Sequence, residues 1–305
     1  MDCYIETVRI FYEELRKEVI IGDPYLNPME QARLQQHHEV IINPKKYPPA
    51  LAAAIHVNRR SFAAQAILAT RDAMVFDAGC GYGSDSFLFA GLGAKVLAVD
   101  ISPEQLYIAE KRKRYFENEV FNKKLDITFR LADLNEYIPE TPGISLTWVA
   151  SVLAALPDQE GFLKRVYAAT REGGRVLVTD MNLLNPLFLF REWRRRRRAK
   201  EKSLEFKRQA DFGSMVRRRG RSGARLFPLG SQEWFDDVQF FTAKSLKVLL
   251  RRVGFRVDQA SFSGFVLPQI YLSLLTPLET FMNKVPILKH FGYFYIVTGT
   301  KDTVN

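Results

Sequence analysis

The chain has 305 residues, 47% hydrophobic and 12% aromatic, so it holds ample material for a core in one large or two ordinary domains. Its net charge of +10 is local: between Arg191 and Arg225, 15 Lys and Arg face four acids, leaving 29 bases and 30 acids elsewhere. That distribution excludes a generally basic nucleic-acid coat and leaves a folded soluble enzyme as the expectation.

The N-terminus, MDCYIETVRIFYEELRKEV, carries acids within an amphipathic pattern and lacks the apolar core of a signal peptide. Cys3 and Cys80 are the only cysteines, which excludes a disulfide framework and points to a reducing, cytoplasmic compartment. No stretch reaches ~18 uninterrupted apolar residues, so no transmembrane helix is expected. Residues 1–70 read as a helical cap with proline-containing breaks near Tyr25 to Pro28 and Asn43 to Pro49.

From residue 71 short apolar runs alternate with helical patterns, the signature of a parallel α/β sheet in one domain running to 305. Met74 to Phe76 reads as a first strand, Ser84 to Gly91 as a helix and Lys95 to Val99 as a second strand. Ser102-Pro103-Glu104-Gln105 is a capping box that opens a helix to about Phe116. Strands follow at Asp126 to Leu131, Leu146 to Ala150 and, after a turn at Gly173-Gly174, Arg175 to Thr179. The rhythm breaks at an insertion over about 183–240. Thr242 then caps a helix ended by Gly254, and Phe255 to Phe262 gives a sixth strand. A second insertion covers 265–291 before a seventh strand, Tyr293 to Thr298.

The stretch VFDAGCGYGSD, Val75 to Asp85, places Gly79, Gly81 and Gly83 between a strand and a helix, where absent side chains let a ligand approach the backbone. A dinucleotide fingerprint needs its third glycine where Ser84 stands, so no pyrophosphate cradle is called for. Asp100 ends the second strand about twenty residues on, where a carboxylate accepts from both hydroxyls of a ribose. A ribose-bearing ligand without a pyrophosphate is the natural candidate. Asp133, taken alone, reads equally as an ordinary helix cap, and Cys80 as a small packed loop residue. His37, His38, His56 and His290 are scattered, or adjacent and facing different ways, so no metal site is expected.

Three blocks, VFDAGCGYGSD, VLAVDIS and LADL, resemble the class I S-adenosylmethionine-dependent methyltransferases over roughly Val75 to Gly264. The resemblance implies a Rossmann-like, seven-stranded, mostly parallel sheet with an antiparallel last strand and helices on both faces. It implies S-adenosylmethionine as cofactor, with Asp77, Ala78, Gly79, Cys80, Gly81 and Gly83 at the methionine part and Asp100 at the ribose. Ile101 would wall the adenine ring, and Ala132, Asp133 and Leu134 would hold it. Ser151 joins this set from TWVASVLAALPD, which looks like the family's fourth-strand motif but has Ala154 and Ala155 where many relatives carry a histidine.

Transfer from a sulfonium asks the protein mainly to align an acceptor, an effect worth up to roughly 7–11 kcal/mol. A base is needed only for a poorly acidic hydroxyl or a protonated amine, and His37, His38 and His56 are the candidates. Tyr82 reads either as a partner of the sulfonium or as packing. LLNPLFLFREWRRRRRAKEK joins an apolar stretch to Trp193 and five arginines, so residues 183–198 suit an anionic membrane surface, a solvated lid or, less well, RNA. FVLPQIYLSLLTPLETFM suits a greasy acceptor pocket. The expectation is a methyltransferase acting on a small-molecule or lipid-like acceptor. The alternatives are an RNA methyltransferase and a cofactor-binding protein without turnover.

Overall fold

A computed structural model describes residues 3–38, 49–137, 139, 143–185, 193, 197, 241–263, 292 and 294–303. Expectations for the two insertions therefore fall outside the described residues, apart from 183–185, Trp193 and Arg197, and so does His290.

Seven strands form one sheet: β1 (Met74–Ala78), β2 (Lys95–Asp100), β3 (Ile127–Leu131), β4 (Ile144–Ala150), β5 (Thr170–Met181), β6 (Arg256–Ser263) and β7 (Phe294–Thr300). Their order is β3-β2-β1-β4-β5-β7-β6, parallel from β3 to β5, with β7 running antiparallel to β5 and to β6. The sheet is thus mostly parallel with an antiparallel last strand, as the resemblance implies. Strand order reverses between β1 and β4, and the crevice beyond their C-terminal ends is where such sheets take ligands.

Among the described residues seven α-helices cover it: α1 (Cys3–Ile21), α2 (Pro28–His37), α3 (Pro49–Leu68), α4 (Ser84–Gly91), α5 (Pro103–Tyr115), α6 (Gln159–Ala169) and α7 (Ala243–Val253). Alternate side chains of each strand feed two cores, so strands covered on both faces are almost wholly apolar. On one face Val75, Leu146, Trp148 and Leu177 pack with Phe11 and Leu15 of α1, Ile67 of α3, Phe87 of α4 and Ile108 of α5. On the other, Phe76, Val149, Val176 and Val297 pack with Phe162 of α6 and Leu246 of α7. Among the described residues no helix is long and apolar enough to cross a membrane.

The helix ends follow local chemistry. Asn27 caps α2 in a full box with Glu30, Thr242 caps α7 in one with Ser245, and Gly254 ends α7 at φ 118°. Two expectations need correction. Ser102 caps α5 by accepting from the Gln105 amide, but the Gln105 side chain does not return the bond; its Oε1 stands 3.0 Å from where a Cβ on Gly81 would be. Gly173-Gly174 is not a turn ahead of β5 but an irregularity inside it. Gly173 N–H donates to the Lys301 carbonyl and Lys301 N–H to the Gly174 carbonyl, so pairing at the far end of β7 carries the strand through.

Two charged clasps hold the N-terminal helices to the sheet. Arg112 of α5 and Glu18 of α1 are both 0% exposed, and Nε and Nη2 meet the two carboxylate oxygens at 2.6 Å each. The same guanidinium donates to the Tyr82 carbonyl at 2.5 Å and to Ser84 Oγ at 3.0 Å. Arg60 of α3 pairs with Asp85 of α4, whose other oxygen accepts from Trp148 Nε1 of β4 at 2.8 Å. Removing one partner of such a pair strands a buried charge, at about 3–5 kcal/mol. Glu18→Ala is expected to lower unfolding stability by about that much in urea titrations and Glu18→Gln, which keeps one acceptor, by less; equal stability of all three proteins would contradict the assignment.

Candidate functional site

The loop after β1 turns through three left-handed glycines, Gly79 at φ 77°, Gly81 at 55° and Gly83 at 78°. At Gly79 a Cβ would also stand 2.8 Å from Val152 Cγ2, so both backbone and neighbour demand glycine there. Four of the loop's amides are committed internally. Gly79 and Cys80 donate to the Val99 carbonyl, Gly83 to the Cys80 carbonyl, and Gly81 to Asp100 Oδ2 at 2.8 Å. An anion-binding nest needs free N–H groups, so this loop offers a ligand a bare backbone surface and not a phosphate cradle.

Asp100 stands at the end of β2, half-buried, with Oδ1 accepting from Ser102 N–H at 2.9 Å and Oδ2 from Gly81. Burial raises its pKa, against the pull of those amides. Each carboxylate oxygen has two lone pairs, so Asp100 retains acceptor capacity for a diol. Next to it Ile101 is 42% exposed, and Leu131, across the β2–β3 pair from Asp100, is 57% exposed. Asp133 folds into an Asx turn, its Oδ1 accepting from the Asn135 amide and side chain at 2.8 Å, while Asn135 Oδ1 is buried without a partner. Ala132 is half-buried and Leu134 buried. Ser151, exposed at the end of β4, holds φ 57°, an uncommon conformation outside glycine, and its N–H donates to the Thr179 carbonyl.

Asp77 and Ala78 are buried in β1; Asp77 Oδ2 accepts from Ser86 Oγ at 2.5 Å, and burial together with Asp85 pushes its pKa up. Its carboxyl thus faces α4. Burial likewise raises the Cys80 thiol, which suits the packed-residue reading. The ends of β1, β2 and β4 thereby bring Gly79 to Gly83, Asp100, Ile101 and Ser151 to one edge of the sheet, with Ala132 to Leu134 just past β3. This set fits the group that the resemblance implies: a close-approach glycine loop, a diol-accepting carboxylate, two exposed aliphatic side chains and an orphaned amide oxygen.

The histidines lie on the α1–α3 side. His38 Nε2 meets Ser84 Oγ at 3.2 Å, His37 stands edge-on to Tyr82 with centroids 4.8 Å apart, and His56 Nδ1 meets Arg60. His37 keeps an exposed edge, yet burial of the rest and Arg112 lower its pKa to about 4. Burial also lowers His38 and His56 well below the ordinary range. Imidazoles so shifted are neutral but weak bases. Tyr82 is 5% exposed and packs in the core beneath α1.

A second polar group, with no signal in the local sequence, occupies the C-terminal end of β5. Asp180 is 3% exposed, with Oδ1 accepting from Met181 N–H at 2.7 Å and Oδ2 unpartnered. Tyr295 OH and Arg59 Nε are also buried without partners. Nearby, Asn182 Nδ2 donates to the Gly292 carbonyl and Leu183 N–H to the Phe241 carbonyl, so the chain ends flanking the two insertions are tied together. A groove of about 630 Å³ between α6 and α7, with Asp158, Glu160, Lys244 and Arg252 in its wall, contains none of the residues that the resemblance assigns to the cofactor.

A family model described as "Methyltransferase domain" matches residues 69–223. The ubiquinone biosynthesis O-methyltransferase of Xanthomonas euvesicatoria pv. vesicatoria (strain 85-10) is 28% identical over 111 residues, 36% of this chain and 44% of that protein. The demethylmenaquinone methyltransferase of Tropheryma whipplei (strain Twist) is 31% identical over 108 residues, 35% of this chain and 41% of that protein. The chain therefore matches less than half the length of these relatives. The crystal structure of the [4+2]-cyclase SpnF is similar at a TM-score of 0.50 and 14% identity, with 82% of each chain covered, a likeness of fold alone.

The left-handed backbone and the Val152 contact make Gly79 the least replaceable position of the loop. Gly79→Ala is expected to cost at least ~1–2 kcal/mol of stability from backbone conformation alone. Thermal melting at or above the wild-type temperature would show that the loop is free to move.

Proposed function

The chain belongs to the class I S-adenosylmethionine-dependent methyltransferases, and we propose that it transfers a methyl group to a small-molecule or lipid-like acceptor. The observation that carries this reading is the closure of Asp100 onto Gly81, which sets a diol-accepting carboxylate against a glycine-rich loop that a ligand can approach along its backbone. S-adenosylmethionine supplies an electrophilic methyl carbon on a sulfonium, so the chain has to bind, orient and exclude water.

In this reading Gly79, Gly81 and Gly83, with Ala78 and Cys80 beside them, let the methionine part approach the backbone. Asp77 works from behind, bracing the loop through Ser86 on α4. The remaining lone pairs of Asp100 accept from the ribose hydroxyls. Ile101 and Leu131 cover the adenine ring, and Ala132, Asp133 and Leu134 line its edge, with the orphaned Asn135 Oδ1 beside them as an acceptor. Ser151 and Val152 close the side toward β4. Support for a lipid-like acceptor comes from the quinone pathways in which the two curated relatives are named.

Calorimetric titration with S-adenosylmethionine and S-adenosylhomocysteine tests the cofactor site, and release of S-adenosylhomocysteine on adding quinone-type phenols tests transfer. Asp100→Ala removes hydrogen bonds to a charged group worth about 1.5–3 kcal/mol each, a loss of affinity for both ligands of roughly 10–100-fold per bond. Unchanged affinity in Asp100→Ala would refute the ribose assignment, and absence of binding to the wild-type protein would refute the cofactor.

A further inference from the structure

Buried polar atoms in folded proteins nearly always find partners, so a group of orphans at one place marks something that completes them. Arg59, Asp180 and Tyr295 come from α3, β5 and β7, and each contributes one unpartnered buried atom. The register of the β5–β7 pair sets Asp180 directly opposite Tyr295. Residues so paired across an antiparallel ladder point to the same face with Cβ atoms about 4.5–5.5 Å apart. Phe294, next to Tyr295, points to the opposite face, so Arg59, whose guanidinium stacks over its ring at 5.6 Å from the centroid, approaches from the α3 side of the sheet, and from there its charge acts on Asp180.

The position matters as much as the composition. Asp180 is next in the chain to Thr179, whose carbonyl holds the amide of Ser151 at the end of β4, and the nearby Ala154 amide pulls the pKa of the Asp180 carboxyl down. The carboxyl therefore adjoins the turn after β4, one strand along from the glycine loop and on the crevice side of the sheet. It also lies where the chain leaves for both insertions, beside the Asn182–Gly292 tie.

We propose that Asp180, flanked by Tyr295 and Arg59, forms the acceptor end of the site, its free Oδ2 taking first the hydrogen bond and then the proton of an acceptor hydroxyl. This rests on the methyltransferase reading. The proton passes from the hydroxyl to Asp180. The oxygen's lone pair forms the new bond to the methyl carbon as the carbon–sulfur bond breaks, its electron pair staying on sulfur to leave a neutral thioether. Tyr295 OH is placed to hold the same oxygen or a second one on the acceptor, and Arg59 to offset the charge that develops there.

The chemistry narrows the acceptor class. Burial pushes Asp180 up to about 6, against the amides of Met181 and Ala154 and the positive charge of Arg59. Ionised above that pH, the carboxylate matches a hydroxyl of about the acidity of the tyrosine phenol, near 10, and is far too weak a base for an ordinary alcohol. A phenol or hydroquinone is the acceptor this arrangement suits.

The probe is 4-hexylphenol, titrated calorimetrically into the full chain at pH 5 and pH 8 without cofactor and again with S-adenosylhomocysteine. Only the ionised fraction of Asp180 binds well, so wild-type affinity is expected to be about tenfold higher at pH 8. Asp180→Asn should abolish that pH dependence and bind about tenfold more weakly at pH 8; Tyr295→Phe should bind more weakly and keep the pH dependence. All three proteins should bind S-adenosylhomocysteine within about twofold of one another. Absence of phenol binding, or a pH dependence that survives Asp180→Asn, would overturn the proposal and leave trapped water as the partner of these atoms. Failure of S-adenosylhomocysteine to bind the wild-type protein would instead remove the cofactor reading, while the cofactor-free titration still reports on Asp180.

Discussion

A fully buried ion pair, Glu18 with Arg112, fixes the part of the molecule on which the site depends. A guanidinium in an apolar core is tolerable only when its donors are used, and here two carboxylate oxygens, the Tyr82 carbonyl and Ser84 Oγ take them, beside the stacked rings of Phe87 and Phe116, whose centroids lie 5.3 and 5.7 Å away. The first helix of the chain and the glycine loop are thereby locked to the same side chain. A shift of either one leaves a charge without a partner. The Arg60–Asp85–Trp148 clasp does the same between α3, α4 and β4. The helices before β1 are thus part of the wall of the loop, sharing its core as well as its hydrogen bonds.

What the sequence reveals of this is what is local. Apolar runs between polar punctuation locate all seven strands, and Ser102, Thr242 and Gly254 mark helix ends because a cap is decided within four residues. The alternation Gly79, Gly81, Gly83 announces the left-handed turns, and Asp100 falls at a strand end where its carboxylate can turn back to the loop. Long-range partners leave no such mark. Gly173-Gly174 looks like a turn because its partner, Lys301, lies at the other end of β7. Nothing near Glu18 points to Arg112, 94 residues on, and nothing near Asp180 points to Tyr295. Leu131 opens the LADL block and Asn135 follows it, and nothing local marks either side chain as part of the site.

The site divides accordingly. Its cofactor end is built from one loop and the ends of β1, β2 and β3, where short-range pattern governs. The acceptor end proposed for it draws on α3, β5 and β7, where the sheet's register sets Asp180 opposite Tyr295. The hydrogen bonds of the loop agree with a GxGxG spacing that is not a dinucleotide fingerprint: the N–H groups of Gly79, Cys80, Gly81 and Gly83 are already spent on Val99, Cys80 and Asp100.

The central claim, that one ligand bridges the glycine loop, the end of β2 and the segment after β3, is tested most directly by amide hydrogen exchange with and without S-adenosylhomocysteine. Ligand binding slows exchange through openings that it opposes, by a factor set by its concentration over Kd. The account predicts slowing together at residues 79–83, 100–102 and 132–135. Slowing confined to the α6–α7 groove, or absent from all three segments under saturating ligand, would contradict it.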